Sequence, residues 1–141
     1  MFKKLDKNDL NRVLEILNQD SVRGYNGLFA SEGEIPWIEH FIVDNRCFAF
    51  GYYDNEILVS IILSEVLSFN GCILWYIATD PNKQNSGFGS KLLEEFELYI
   101  KDLGIEWIFL NASQNSLDFY KKRGYITSKY SKVYEHVKDI Q

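Results

Sequence analysis

The sequence predicts an α/β (α+β) protein: a mixed, mostly antiparallel sheet of six to seven strands with helices on both faces. Three observations predict it. Apolar runs at 47–53, 56–66 and 71–79 are separated by turn residues, Asp54-Asn55 and Asn70-Gly71, so they fold back on one another as an antiparallel meander. A helix pattern from Gly87 to Leu103 separates the third run from a fourth at 105–112, and a helical crossover makes those two strands parallel. Two further strand patterns, Tyr125 to Lys132 and Val133 to Val137, follow.

Phe2 to Leu5 reads as a first strand. Asp6 then serves as an N-cap, and Leu10, Val13, Leu14 and Leu17 recur at helical spacing to about Asn18. Gln19 to Ile35 mixes Gly24, Gly27 and Gly33 with Tyr25 and Phe29, and reads as loop with one or two short helical turns. Pro36 to Ile42 reads as another turn. In the helix at 87–103, Phe88, Leu92, Phe96, Tyr99 and Leu103 form an apolar stripe, widened by Leu93 and Ile100. Lys91, Glu94, Glu95, Glu97, Lys101 and Asp102 cover the opposite face, and Gly104 follows as a C′ residue. Ser113 is placed to cap a short helix running to Arg123 and closed by Gly124.

With 141 residues and no linker, repeat or low-complexity stretch, the chain 1–141 is expected to form a single domain. Its net charge of −5 argues against nucleic acid or an anionic membrane surface as partner, and mildly favours a cationic or neutral amine. The absence of a long apolar run or a signal-type leader, with two cysteines far apart at Cys47 and Cys72, leads to an expected cytoplasmic location with reduced thiols. His40 and His136 have no companions at ligand spacing, so no metal is expected.

The run from Asp80 to Leu93 carries the chemistry. Between a strand and a helix lies Gln84-Asn85-Ser86-Gly87-Phe88-Gly89-Ser90, a Gln-x-x-Gly-x-Gly loop. Glycine lets the backbone approach a ligand closely, and the first helical turn points unpaired N–H groups back at the loop. Such an end suits a phosphate or pyrophosphate. A P-loop is excluded because Lys91 follows Ser90 and precedes Leu92. A dinucleotide fingerprint is excluded because Leu92 stands where its third glycine belongs.

Gln84, Gly87 and Gly89 match the acyl-CoA loop of the GNAT superfamily of N-acyltransferases. Phe119, Tyr120, Gly124 and Tyr125 match that superfamily's second signature, and Asp80-Pro81 is usual before its loop. The chain therefore resembles a GNAT acyltransferase, well over roughly residues 45 to 130 and by architecture before them. The resemblance implies an N-acetyltransferase that moves an acetyl group from acetyl-CoA to a primary amine of a small molecule or peptide by direct attack. The alternative it leaves is a non-catalytic acyl-CoA-binding sensor or interaction module, and either a monomer or a homodimer.

The same resemblance implies site roles. Backbone N–H groups of Gln84, Asn85, Ser86, Gly87, Phe88, Gly89 and Ser90 would hold the pyrophosphate, with the Gln84 side chain bracing the loop or reaching a phosphate. The parallel strands are expected to splay so that the pantetheine arm meets the backbone of Ile77, Ala78 and Thr79. The Ile77 N–H is the expected donor to the thioester carbonyl, and Tyr120 the general acid for the leaving thiolate. Ser113 stands where many members carry Asn against the cofactor, with Asn115 or Asn111 as alternatives. No base is evident: Ile73 and Ile108 occupy the positions where members carry a carboxylate. Glu65, Tyr76, His40 or a water chain remain. Tyr25, Phe29, Trp37 and Trp75 are candidate walls of an acceptor pocket, and Glu32 and Glu34 candidate attractors of a cation.

Overall fold

The computed structural model describes residues 1–19, 35–67, 70–84, 86–111, 117–127 and 135–139. Seven strands form one sheet in the order β1-β2-β3-β4-β5-β7-β6. They are β1 (Phe2–Lys4), β2 (Cys47–Asp54), β3 (Ile57–Val66), β4 (Gly71–Thr79), β5 (Trp107–Asn111), β6 (Ile126–Thr127) and β7 (Glu135–Asp139). Only β4 and β5 pair in parallel; the other described pairings are antiparallel. The helices are α1 (Leu10–Leu17), α2 (Ile35–Val43), α3 (Phe88–Asp102) and α4 (Leu117–Lys121).

Local chemistry explains most boundaries. The Asp6 carboxylate accepts from Asn8 N–H while Asp9 accepts from Asp6 N–H, a reciprocal cap that starts a 3-10 turn ahead of α1. The β2–β3 turn is centred on Asn55 (φ 49°) and Glu56 (φ 68°), one residue later than the expected Asp54-Asn55. Both left-handed residues match the twist of a two-residue hairpin, and Asn tolerates that region well. Asn70, at φ 61°, turns the chain into β4. The segment expected as one turn at 36–42 is a full helix, α2. Proline sits in its first turn, where its missing N–H costs nothing, and Ile38, Phe41 and Ile42 bury against the sheet.

Two cores flank the sheet. On one face α3 buries Leu92, Leu93, Phe96 and Ile100 against Phe50, Ile62, Cys72, Leu74, Ile108 and Leu110. Each such side chain contributes about 1.5–3 kcal/mol on removal from water. Leu103, expected on that stripe, is 53% exposed, because the helix ends at Asp102 and turns away through Gly104 at φ 84°. On the other face α1 and α2 cover Leu58, Ile61, Leu63 and Ala78 with Val13, Ile16, Ile38 and Phe41. Helices thus cover both faces, as expected. The segment between α1 and α2, with Tyr25, Phe29, Glu32 and Glu34, lies outside the described residues. The last two expected strands are described only as β6 and β7.

Candidate active site

The described parallel pairing of β4 with β5 covers only the first part of β4. Their register runs from Gly71↔Trp107 to Leu74↔Leu110, whereas β4 continues to Thr79. Against β3 the register slips at this point: Leu63 faces Tyr76 and Ser64 faces Leu74, leaving Trp75 as an extra residue. Such a bulge bends a strand and increases its twist.

Beyond the bulge the ladder fixes the direction of the backbone groups. Asp80 N–H donates to Val59 C=O at 2.8 Å, and Ala78 C=O accepts from Ser60 Oγ at 3.2 Å. Both partners lie on β3. Alternation along a strand therefore aims the N–H and C=O of Ile77 and Thr79 the other way, toward the β5 side of β4. The Ile77 side chain packs on the α3 core and Ala78 on the opposite one.

The glycine loop enters from the same end. Asp80 caps a 3-10 turn at Pro81–Lys83, accepting from Asn82 N–H at 2.9 Å. That bond, with the Arg12 guanidinium second, holds the Asp80 carboxyl below the usual carboxylate range. Arg12 Nη2 donates to Asp80 at 2.6 Å and its Nε to Leu58 C=O at 2.9 Å, tying α1 to the loop. The Gln84 amide donates to Thr79 C=O at 3.4 Å, so it braces the loop. Asn85 lies outside the described residues, and Ser86 is exposed.

Gly87 is the N-cap of α3 at φ 80°, with no capping side chain and no atom within 4 Å of where a Cβ would stand. The first turn of α3, Phe88 to Ser90, therefore has N–H groups with no side-chain cap at Gly87. At Gly89 a Cβ would stand 3.2 Å from Thr79 Oγ1, so glycine permits the close approach of helix to strand. A helix N-terminus capped by glycine, without a capping side chain, is the type of end that suits an anion.

Tyr120, on α4, is 5% exposed, edge-on to Phe119 and Tyr125 with ring centroids 5.1 and 5.5 Å away. Burial raises its phenol well above the ordinary value, which keeps it protonated. Arg123 joins the two signatures: it donates to Ser90 Oγ and to Phe119 C=O (2.7 Å), with its guanidinium 3.7 Å over the Phe119 ring. Sequence reasoning missed Arg123, Arg12 and Asp80 as fasteners of this loop, since each acts on a residue distant in the chain. Ser113 and Asn115 lie outside the described residues, and Asn111 is described only as the end of β5.

On the α2 face, the bulge puts two consecutive β4 residues against the same neighbours. Trp37 meets Trp75 edge-on at 5.6 Å and donates from Nε1 to Tyr76 Oη at 2.9 Å. Phe41 touches both rings, and Trp37 stacks on His40. Glu65 accepts from Trp75 Nε1 at 3.3 Å, and His40 Nε2 lies 3.6 Å from Cys47 Sγ. Three candidate bases far apart in sequence, His40, Glu65 and Tyr76, thus gather around Trp37 and Trp75. Burial pushes the Cys47 thiol up to about 11, aided by the nearby Asp44 and Glu65 charges.

A mostly antiparallel sheet with one parallel pair, and a glycine loop leading into a helix N-terminus, is the architecture that the resemblance to GNAT acyltransferases implies. The sequence matches the acetyltransferase (GNAT) family over residues 10–125, and the chain belongs to that family. No curated protein sequence matches it. Solved structures share its fold. The PaiA N-acetyltransferase of Thermoplasma acidophilum, in complex with coenzyme A, superposes with a TM-score of 0.81 at 24% identity, covering 99% of this chain and 98% of that one. A GNAT-family acetyltransferase of Staphylococcus aureus gives 0.84 at 17% identity, over 100% and 99%. The ribosomal-protein-S18-alanine N-acetyltransferase of Escherichia coli gives 0.80 at 18%, over 100% and 94%. Among the described residues no helix is long and apolar enough to cross a membrane.

Proposed function

We propose that this chain is a single-domain N-acetyltransferase that uses acetyl-CoA as cosubstrate and a primary amine of a small molecule or peptide as acceptor. The observation that carries the reading is the glycine loop that follows β4 and ends in the glycine-capped N-terminus of α3, beside the Ile77 and Thr79 backbone groups that face away from β3. Backbone N–H groups from Gly87 to Ser90 bind the pyrophosphate, helped by the positive end of α3. The Ile77 N–H donates to the thioester carbonyl and holds the charge that develops there when the amine attacks. Tyr120 gives its phenolic proton to the departing thiolate, and the proton lost by the attacking amine passes through a water chain to restore the phenol. Its raised pKa keeps that proton available across the physiological range. The amine comes from the α2 face, past Trp37 and Trp75.

The test is thiol release from acetyl-CoA across a panel of amines, beside calorimetric binding of acetyl-CoA. Tyr120→Phe is expected to keep the dissociation constant and lower kcat by roughly 10²–10⁴-fold. An undiminished kcat would leave Tyr120 as a core aromatic. Binding of acetyl-CoA with no transfer to any amine would favour the sensor reading instead.

A further inference from the structure

His40, Cys47 and Glu65 bring an imidazole nitrogen, a thiol sulfur and a carboxylate oxygen within 4.8 Å of one another. Three packed elements hold them there. Cys47 and Glu65 are direct cross-strand partners of β2 and β3, so their side chains share a face. His40 comes from α2, and the tight turn after that helix, closed by Cys47 N–H on Asp44 C=O at 3.1 Å, folds the imidazole back over β2.

The spacing suits a metal. His40 Nε2 and Cys47 Sγ are 3.6 Å apart. Tetrahedral zinc, with bonds of about 2.05 Å to nitrogen and about 2.3 Å to sulfur, sets those two atoms about 3.6 Å apart. The neighbouring groups do what outer partners of metal ligands do. His40 Nδ1 faces Asp44 Oδ2 at 3.6 Å, which orients the ring with Nε2 toward the sulfur. Glu65 is steadied by the Trp75 indole N–H. A thiolate beside an imidazole selects zinc-like ions over magnesium or calcium.

We propose that His40, Cys47 and Glu65 form a site for a zinc-type divalent cation, with water as the fourth ligand. On binding, the Cys47 S–H bond breaks, its proton leaves to solvent and a sulfur–metal bond replaces it. The site rests on its own geometry and not on the acyl-transfer reading, although His40 and Glu65 border the proposed amine route. Spacing along the chain hid it, because Glu65 lies on a separate strand, away from His40 and Cys47 in sequence; the fold brings the three together.

The experiment titrates reduced, metal-free protein with Co²⁺. The expected result is a near-ultraviolet thiolate-to-cobalt band that saturates at one equivalent and is displaced by Zn²⁺. Cys47→Ser should abolish the band, Cys72→Ser should keep it, and Asp44→Asn should weaken affinity about 10–100-fold. Circular dichroism monitors folding. If Cys47→Ser does not fold, His40→Gln serves in its place, and affinity there should fall by at least about tenfold. No band at millimolar Co²⁺, a band surviving Cys47→Ser, or unchanged affinity in His40→Gln would each overturn the site. The contact would then be a thiol–imidazole hydrogen bond alone.

Discussion

Replacing Asp80 by alanine should test how the cofactor loop is fastened. The carboxylate caps Asn82 N–H at 2.9 Å and pairs with Arg12 at 2.6 Å, with side-chain exposures of 11% for Asp80 and 24% for Arg12. Loss of the cap costs about 1 kcal/mol. A fully buried charge left alone costs about 3–5 kcal/mol. Arg12 keeps its bonds to Leu58 C=O and Glu15, so about 1–2 kcal/mol is the fitting share. The sum is about 2–3 kcal/mol, or a fall in Tm of roughly 6–15 °C for a chain of this size. Urea and thermal melts at pH 7 measure it, and a cycle with Arg12→Met should give a coupling above the 0.2–1 kcal/mol typical of exposed pairs. The pH dependence has a definite sign. Asp80's pKa is depressed in the folded state, so its contribution is present above the unfolded value and is lost as pH falls through the folded one. The gap between wild type and Asp80→Ala should therefore shrink below about pH 4. A loss under about 0.5 kcal/mol at pH 7, or an equal gap at pH 7 and pH 3, would refute this account.

Other substitutions probe separate parts. Gly87→Glu should abolish acetyl-CoA binding by calorimetry, and Gly87→Ala should cost about 1–2 kcal/mol in denaturant melts, since an L-residue is forced to φ 80°; full affinity in a folded Gly87→Glu would remove the loop from the site. Trp37→Ala should raise the KM for the amine and leave that for acetyl-CoA nearly unchanged; the reverse pattern would place the acceptor elsewhere. Gly51→Ala should destabilise by about 1–3 kcal/mol, read from urea midpoints, because its Cβ would fall 2.3 Å from Leu58 Cδ1 and 2.9 Å from Leu5 Cδ2.

Much of this protein is written locally. Asn55 and Asn70 mark the turns of the meander, Gly87 and Gly104 bracket α3, and the spacing of Leu92, Phe96 and Ile100 sets its buried face. These features depend on φ preferences and on the helical period, which neighbouring residues alone specify. The loop at Gln84–Ser90 is legible through its glycines, and the Phe119-Tyr120 signature through its resemblance to the GNAT pattern. The slip of one residue in the first hairpin turn, and the exposure of Leu103, arise where two adjacent residues suit the turn or the helix end almost equally and packing decides.

What the tertiary structure alone decided concerns pairs distant in the chain. The slip that makes Trp75 extra depends on the whole β3–β4 register, and it sets Trp75 and Tyr76 both against Phe41. Arg12 meets Asp80, Arg123 meets Ser90, and His40 meets Cys47 beside Glu65 only after sheet and helices have closed on one another. Composition and spacing carry the period of each element, but not which residue of one element faces which of another. That is set by strand register and by the close packing of two cores against one sheet.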